Sequence, residues 1–335
     1  MIRLIAAAVL LACSCAAWAD FSDAPRVPVL LEQLQARYGF TASQLNDVRA
    51  TLRGAQLMPQ LLHEERHAKE KTLAWSAYRK IAVNARNVTA GLAFMHENQR
   101  WLDKAEAIYG VPPSVITAIL GVETRYGRNT GHVRTIDALS TMAFEHDRRS
   151  DFFFSELEQF FVLCRDDGLD PSTVQGSYAG ALGMAQFMPS NYRRLAVDFD
   201  GSGTANLWSA PDAIGSIANY LVHYDPVRRW QRGMPIMLPA TAPGRLPADV
   251  TVNPRQIDSL VGSLEQGGIR SASGVVLPAS LPAAFVRLDG AGTQQADWMV
   301  LSPFYAIMSY NPRIFYAMAV SQLAQELAHA RRGDR

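Results

Sequence analysis

Apolar residues recur at helical spacing along most of the chain. Between residues 28 and 70 they fall into three groups: Leu30, Leu31 and Leu34; Leu45, Val48 and Leu52; and Leu57, Leu61 and Leu62, punctuated by Gly39 and Pro59. This period predicts amphipathic helices with breaks between them. Trp75 to Ile81 and Ala90 to Tyr109 predict further helices, the second with Leu92, Met95, Gln99, Leu102 and Glu106 on one face and Gly110 as its stop. Thr135 to Phe144, Asp151 to Cys164 and Ala213 to Tyr224 continue the pattern, with turns at Asp166-Asp167-Gly168 and Asp170-Pro171. Residues 227–303 lose it. They are richer in Pro, Gly and Val, with short alternations at Val250-Thr251-Val252-Asn253 and Phe285 to Asp289, which fit a small β-rich lobe. Phe304 to Ala330 returns to helix, with Tyr305, Tyr310, Asn311 and Tyr316 near its start. The expected class is mainly α (α+β), in a chain long enough for two or three lobes.

Val111 to Arg128, VPPSVITAILGVETRYGR, predicts a short buried helix with one carboxylate near its end. Pro112 and Pro113 suit a helix start, where a missing N–H is tolerated. Val115, Ala118, Ile119 and Val122 form an apolar face, and Gly127 is a plausible stop. Glu123 lies at the rim of that face, with Ile116, Ile119 and Leu120 beneath it. Desolvation and the negative helix end would both favour its neutral form. A carboxylic acid protonated near neutral pH is what a general acid requires. A solvated helix-end glutamate remains the alternative.

Composition narrows the picture. Of 335 residues, 48% are apolar and 19% charged, ordinary for a folded soluble protein, and the net charge is +1. That balance gives no basis for nucleic-acid binding. Residues 1–19 read as a secretory leader, with Arg3, an apolar run from Leu4 to Leu11, and Ala17-Trp18-Ala19 before Asp20 as an A-x-A cleavage site. Leu10-Leu11-Ala12-Cys13 also resembles a lipobox that would leave a lipidated Cys13. After A-x-A cleavage one cysteine remains, Cys164, expected to be a buried inert thiol. His63-Glu64-Glu65-Arg66-His67 is a formal H-E-x-x-H match. It sits in a run of charged residues with no third ligand nearby, so a solvated face is expected rather than zinc.

Ser177 to Tyr192, SYAGALGMAQFMPSNY, is dense in small residues. Glycine in an apparent helix costs about 1 kcal/mol relative to alanine. It implies either close approach of a backbone or ligand, or tight helix packing. Downstream, Asp198, Asp200, Ser202 and the Thr204 carbonyl occupy positions 1, 3, 5 and 7 of a calcium loop, with Gly203 at the sharp turn. Position 12 is Ser209, so Asp212 is the carboxylate placed to close a site. A plain turn is the alternative.

GVETRYG at 121–127, SYAGALGMAQFMPSNY at 177–192, NLW after the acidic loop, DAIGSIANY at 212–220 and YNPRIFYAMAV at 310–320 together resemble the bacterial lytic murein transglycosylase B family. The agreement is strongest from about Trp75 to Tyr224 and from about Ser302 onward. The resemblance implies a lysozyme-like helical core at 86–226, an N-terminal helical region at 20–85, a β-rich lobe at 227–303 and a C-terminal helix, 304–335, returning to the core. It implies cleavage of the β-1,4 bond between N-acetylmuramic acid and N-acetylglucosamine in peptidoglycan, with formation of a 1,6-anhydro end and Glu123 as acid and then base. It places Tyr78, Arg148, Arg149, Ser177, Gln186, Tyr220, Tyr310, Asn311 and Tyr316 around the sugars. It assigns structural calcium to Asp198, Asp200, Ser202, Thr204 and Asp212, with Asp200 and Ser202 exchanged relative to the family's usual order. No cofactor for catalysis is implied. Peptidoglycan strands are the expected partner, cell-wall synthases are further candidates, and the expected form is a periplasmic monomer, or a lipoprotein through Cys13. Two other readings stay open: a hydrolase of the same fold, with Asp137, Glu145 or Asp147 as second carboxylate, and a wall-binding module without activity.

Overall fold

The computed structural model describes residues 20–66, 73–146, 148–289 and 295–333. The leader with Cys13, His67 of the H-E-x-x-H match and Asp147 lie outside the described residues. Helices α1 (Val27–Tyr38), α2 (Ala42–Arg53) and α3 (Pro59–Arg66) follow the three leucine groups. Gly39 closes α1 in the left-handed region, and Thr41 and Gln44 cap α2 reciprocally. These helices share a core with α8 (Thr135–Glu145) and α9 (Ser150–Asp166), into which Leu30, Leu34, Leu52, Phe153 and Phe160 are fully buried. Cys164 is buried in the same core, and burial, then Asp167 and Asp170, pushes its thiol well above the ordinary range. That makes it an inert thiol, as expected.

The second core surrounds α7 (Pro113–Thr124), in which Ile116, Ala118, Ile119 and Leu120 are fully buried. Around it pack α5 (Ala85–Glu97), α6 (Gln99–Tyr109), α11 (Ala210–His223) and α14 (Ile314–Gly333), while α4 (Trp75–Ala82) and α13 (Ser302–Tyr310) pack on α14. The strands of the β-rich lobe, expected over 227–303, lie between Met237 and Val300, and Ser302 and Pro303 already belong to α13. The lobe's antiparallel sheet runs β4 (Ser259–Leu260), β6 (Pro282–Asp289), β7 (Gln295–Val300), β3 (Met237–Thr241), β5 (Arg270–Ser271), with β6 and β7 the long central pair. One face carries Phe285, Met299 and Leu301 into a small third core, while Ala284, Val286 and Val300 face the α7 core. This alternation is the period-two pattern of a sheet packed on both sides. The mainly α class with a β-rich lobe is the one expected. No single helix among the described residues is long and apolar enough to cross a membrane.

The sequence reading is corrected at four places. The helix predicted over 90–109 is two helices, because Asn98 leaves helical geometry (φ −112°, ψ 19°) and bonds back to the Phe94 carbonyl through both its backbone and its side chain. The return helix predicted over 304–330 breaks at Asn311, which is extended (φ −140°) before Pro312. Helix α7 stops at Thr124 rather than running to Gly127. The small-residue stretch is not helical before α10 (Pro189–Leu195): Gly180, Gly183 and Gln186 all have positive φ. Of the two readings of its glycines, close backbone approach holds. A Cβ on Gly183 would lie 2.5 Å from the Leu207 carbonyl oxygen, while one on Gly180 would lie 2.5 Å from the Leu139 side chain.

Gly183→Ala is expected to lower the unfolding free energy by about 1–3 kcal/mol, since it adds left-handed strain to a backbone clash. Denaturant titration reads this, and an unchanged midpoint would contradict the tight packing on Leu207.

Candidate active site

Three elements converge on the end of α7. Glu123 stands half-buried in its last turn. Arg125 (φ 52°) and Tyr126 (φ 62°) then turn through the left-handed region, and their N–H groups donate to the Gly121 and Leu120 carbonyls. Non-glycine residues resist this geometry, and here surrounding contacts hold it. The Tyr126 hydroxyl donates to the Asn87 carbonyl at 2.7 Å, and its ring covers Gly91 and Gly121, where any Cβ would come within 2.7 Å of the hydroxyl. Thr124 Oγ1 accepts from the Gly127 N–H and donates to the Met184 carbonyl, both at 3.0 Å. The GVETRYG motif is therefore a helix stop that fixes the direction of one carboxylate.

The second element is the loop 177–188. Ser177 Oγ accepts the N–H groups of Ala179 (3.2 Å) and Ala181 (3.0 Å). Gln186 sits at φ 52°, with Nε2 donating to the Thr130 and Gly183 carbonyls. Met184 links this loop to the acidic loop, its N–H donating to the Leu207 carbonyl at 2.7 Å.

The third element is the break between α13 and α14. It places Tyr310 and Tyr316 with parallel rings, 6.4 Å apart and 10° from coplanar directions. The Tyr316 hydroxyl donates to Glu123 Oε1 at 2.6 Å. Tyr310 donates to the Ala185 carbonyl, and Tyr220, on α11, to the Ser309 carbonyl at 2.7 Å. Burial, then the Glu123 carboxylate, holds Tyr316 and Tyr310 well above the usual phenol range. Burial, then Tyr224, does the same for Tyr220. All three stay neutral donors. Tyr78, on α4, joins through Phe315, 5.8 Å between ring centroids.

Glu123, Tyr78, Tyr220, Tyr310 and Tyr316 are thus brought together, with Ser177 and Gln186 on the adjoining loop and Asn311 at the helix break. Arg148 and Arg149 are exposed on the turn before α9, and their N–H groups donate to His146 Nδ1. Arg149 lines a cavity of about 850 Å³ that Tyr220 and Tyr310 also line, whereas Glu123 and Arg148 do not line it. Two of the three second-carboxylate candidates lie among the described residues. Asp137 is buried in a two-point ion pair with Arg134 (2.8 Å each) and accepts the Gln56 N–H, and Glu145 is exposed at the end of α8.

Sequence reasoning missed Thr124 and Tyr126 as supports, because neither shows in a hydrophobic period. It also missed Glu156 on the cavity wall. Glu156 is buried and accepts the Ser190 N–H (2.9 Å) and hydroxyl (2.7 Å), capping α10 from a distant helix. Burial raises its pKa, only partly offset by the Ser190 bonds.

In the acidic loop, Asp198, Asp200 and Asp212 bring carboxylate oxygens within 4.8 Å of one another. Gly203 has φ 109°, the turn its position demands. Asp198 accepts the N–H groups of Gly201, Ser202 and Gly203, which lower its pKa. Asp212, fully buried, accepts those of Phe199, Asp200 and Asn206. Three carboxylates, the Ser202 hydroxyl and the Thr204 carbonyl form an all-oxygen donor set, which fits a hard cation of the calcium type.

Residues 25–325 match the family described as the Transglycosylase SLT domain. The chain is 36% identical over 320 residues, 93% of its length and 85% of the other's, to the membrane-bound lytic murein transglycosylase B of Escherichia coli strain K12. It is similar in structure to the Escherichia coli lytic transglycosylase SLT35 in complex with calcium, with a TM-score of 0.82 and 35% identity over 94% of this chain and 96% of that one. The lytic transglycosylase SltB1 from Pseudomonas aeruginosa gives a TM-score of 0.83 at 36% identity, over 93% and 100%.

Glu156 supplies a prediction with a defined sign. A carboxyl whose pKa is raised by folding stabilises the native state most below its unfolded value and loses that contribution as pH rises. Glu156→Gln removes the ionisation. The stability of the variant relative to wild type is expected to improve from about pH 4 to about pH 7, measured by urea titration at each pH. A difference that is flat or worsens over this range would contradict the assignment.

Proposed function

This chain belongs to the transglycosylase SLT domain family and is an enzyme of peptidoglycan, a lytic murein transglycosylase; we propose that Glu123 alone carries out both of its proton transfers. The observation that carries this reading is the Tyr316–Glu123 hydrogen bond at the end of a buried apolar helix. Glu123 as acid gives its proton to the departing glycosidic oxygen. The bond from that oxygen to the anomeric carbon of muramic acid breaks, and the developing charge is relieved by the substrate's own 2-acetamido carbonyl. Glu123, now a carboxylate, takes the proton of the C6 hydroxyl, whose oxygen closes on the anomeric carbon. The product is a 1,6-anhydro end, and no water is consumed. An attacking group tethered to the same ring gains effective molarity that water lacks. This removes the need for the second carboxylate used by most glycosidases.

Tyr316 suits both stages. A neutral hydroxyl can donate to a carboxylate or accept from a carboxylic acid, so the contact survives the proton's departure and return. Tyr310, half-buried, offers a ring face to pyranose C–H surfaces, and the buried Tyr78 and Tyr220 form the aromatic wall behind it. Ser177, Gln186 and Asn311 read hydroxyl and N-acetyl groups; Gln186, with Nε2 held by two carbonyls, presents Oε1 as acceptor. Arg148 and Arg149 pair with lactyl or stem-peptide carboxylates. Asp198, Asp200, Ser202, Thr204 and Asp212 would hold calcium, which ties the Leu207 segment beneath Met184 and so supports Thr124. Peptidoglycan strands in the periplasm are the substrate, reached by a cleaved protein or by one anchored through Cys13.

Glu123→Gln is expected to lower kcat on purified cell walls by about 10²–10⁴-fold with the unfolding midpoint unchanged. Lysis at the wild-type rate would overturn the assignment. Calcium at about a hundred times its Kd is expected to add about 2.7 kcal/mol of stability, a rise of a few degrees in Tm over chelator. An unchanged Tm would contradict calcium in the loop.

A further inference from the structure

Helix α4 begins without a capping side chain of its own, because Ala74 stands at its N-cap. The Ala77 and Tyr78 N–H groups turn back to the Ala74 carbonyl, which leaves those of Trp75 and Ser76 without an intrahelical partner. Both go to one side chain of the β-rich lobe. The Trp75 N–H donates to Asp289 Oδ1 at 2.9 Å and the Ser76 N–H to Oδ2 at 3.2 Å. Asp289 is the last residue of β6, 214 positions along the chain from Trp75. A carboxylate here also meets the positive pole of the helix. Its desolvation is outweighed by these bonds, which hold its carboxyl below the usual range. Beyond its first turn, α4 faces the lobe across a cavity of about 690 Å³, with Arg79 and Lys80 on the helix side and Ala296 and Trp298 on the lobe side. The other flank of α4 packs on α14. Trp75 and Tyr78, one turn apart, both meet Phe315, at 5.5 and 5.8 Å between ring centroids, and each other at 6.2 Å. Phe315 precedes Tyr316, the donor to Glu123 Oε1. After burial, Glu123 and Tyr310, Tyr78 adds to what keeps Tyr316 protonated.

We propose that Asp289 is a positioning residue for the reaction: from the β-rich lobe it fixes the first turn of α4, and so holds Tyr78 and Phe315 behind the Tyr316–Glu123 pair. This rests on the reading of Glu123 as the group that moves the protons. It gives the lobe a part in the chemistry through the start of a helix rather than through a residue in the site. A helix as short as α4 is marginal alone in water, so the contacts at its ends decide where it lies. Without the carboxylate, two N–H groups lose their acceptor, the first turn frays, and the wall of rings behind Tyr316 loses its anchor. A displacement of about 1 Å at a reacting group costs about 10²-fold in rate, so a smaller shift passed on through three rings is enough to be read.

The test measures kcat and KM separately on soluble glycan strands, with circular dichroism at the assay temperature giving the folded fraction of each variant. Asp289→Ala is expected to lower kcat about tenfold, the worth of one helix cap, and to change KM less than about twofold. Asp289→Asn, which keeps an acceptor oxygen and caps as well as aspartate, is expected to recover kcat to within about twofold of wild type. In a Tyr78→Ala background, where the wall is already broken, Asp289→Ala is expected to lower kcat by less than about twofold more, because the two changes act along one path. A general loosening of the fold would instead act alike in both backgrounds. Wild-type kcat in Asp289→Ala, equal losses in the alanine and asparagine variants, or additive losses with Tyr78→Ala would each overturn the proposal while leaving Glu123 in place. Wild-type turnover in Glu123→Gln would overturn the reading of Glu123 on which it rests.

Discussion

The hydrogen bond from Tyr316 to Glu123 sets the conditions for the rest of the site. A half-buried carboxylate on an apolar helix is costly unless a donor meets it. The donor comes from the far end of the chain, on α14, the helix packed along α7. Tyr316 is fully buried and its hydroxyl stays protonated, because burial and the adjacent carboxylate both oppose ionisation. The pairing therefore tolerates either protonation state of its partner. It also depends on the break at Asn311, which lets α13 present Tyr310 and α14 present Tyr316 as parallel rings on one side of the site.

Behind this pair lies a second set of constraints. Thr124 is bonded to Met184, Met184 to Leu207, and Leu207 closes the loop whose carboxylates gather at Asp212. Three non-glycine residues with positive φ, Arg125, Tyr126 and Gln186, lie on the two facing elements. Such conformations persist only where packing over-determines them. Here Tyr126 is fixed by its ring on two glycines and its bond to Asn87, and Gln186 by its two carbonyl partners. Strain and its compensation are concentrated around a single side chain, Glu123, as expected where one group must be aimed.

Much of this was legible in the sequence. Helix periodicity and turn residues gave most elements, and the rim position of Glu123 on α7 followed from spacing. Asp212 as the closing carboxylate of the loop followed from counting. The remainder depended on partners distant in sequence. The stop of α7 before Gly127 needs Tyr126 to find Gly91 and Asn87. The non-helical course of 177–188 needs Leu207 against Gly183. Asn98 and Asn311 break helices whose apolar spacing runs straight through them, so periodicity alone cannot register the breaks. Glu156 and Asp289 carried no local pattern at all; only the fold sets one on Ser190 and the other on the first turn of α4.

One carboxylate suffices if the attacking hydroxyl already belongs to the substrate, and that is the claim on which the chemistry rests. Digestion of purified peptidoglycan in ¹⁸O-enriched water, followed by mass spectrometry of the new glycan ends, tests it most directly. The account predicts muramic acid ends that carry no ¹⁸O and are lighter than reducing ends by one water. Ends bearing ¹⁸O at the anomeric carbon would contradict it.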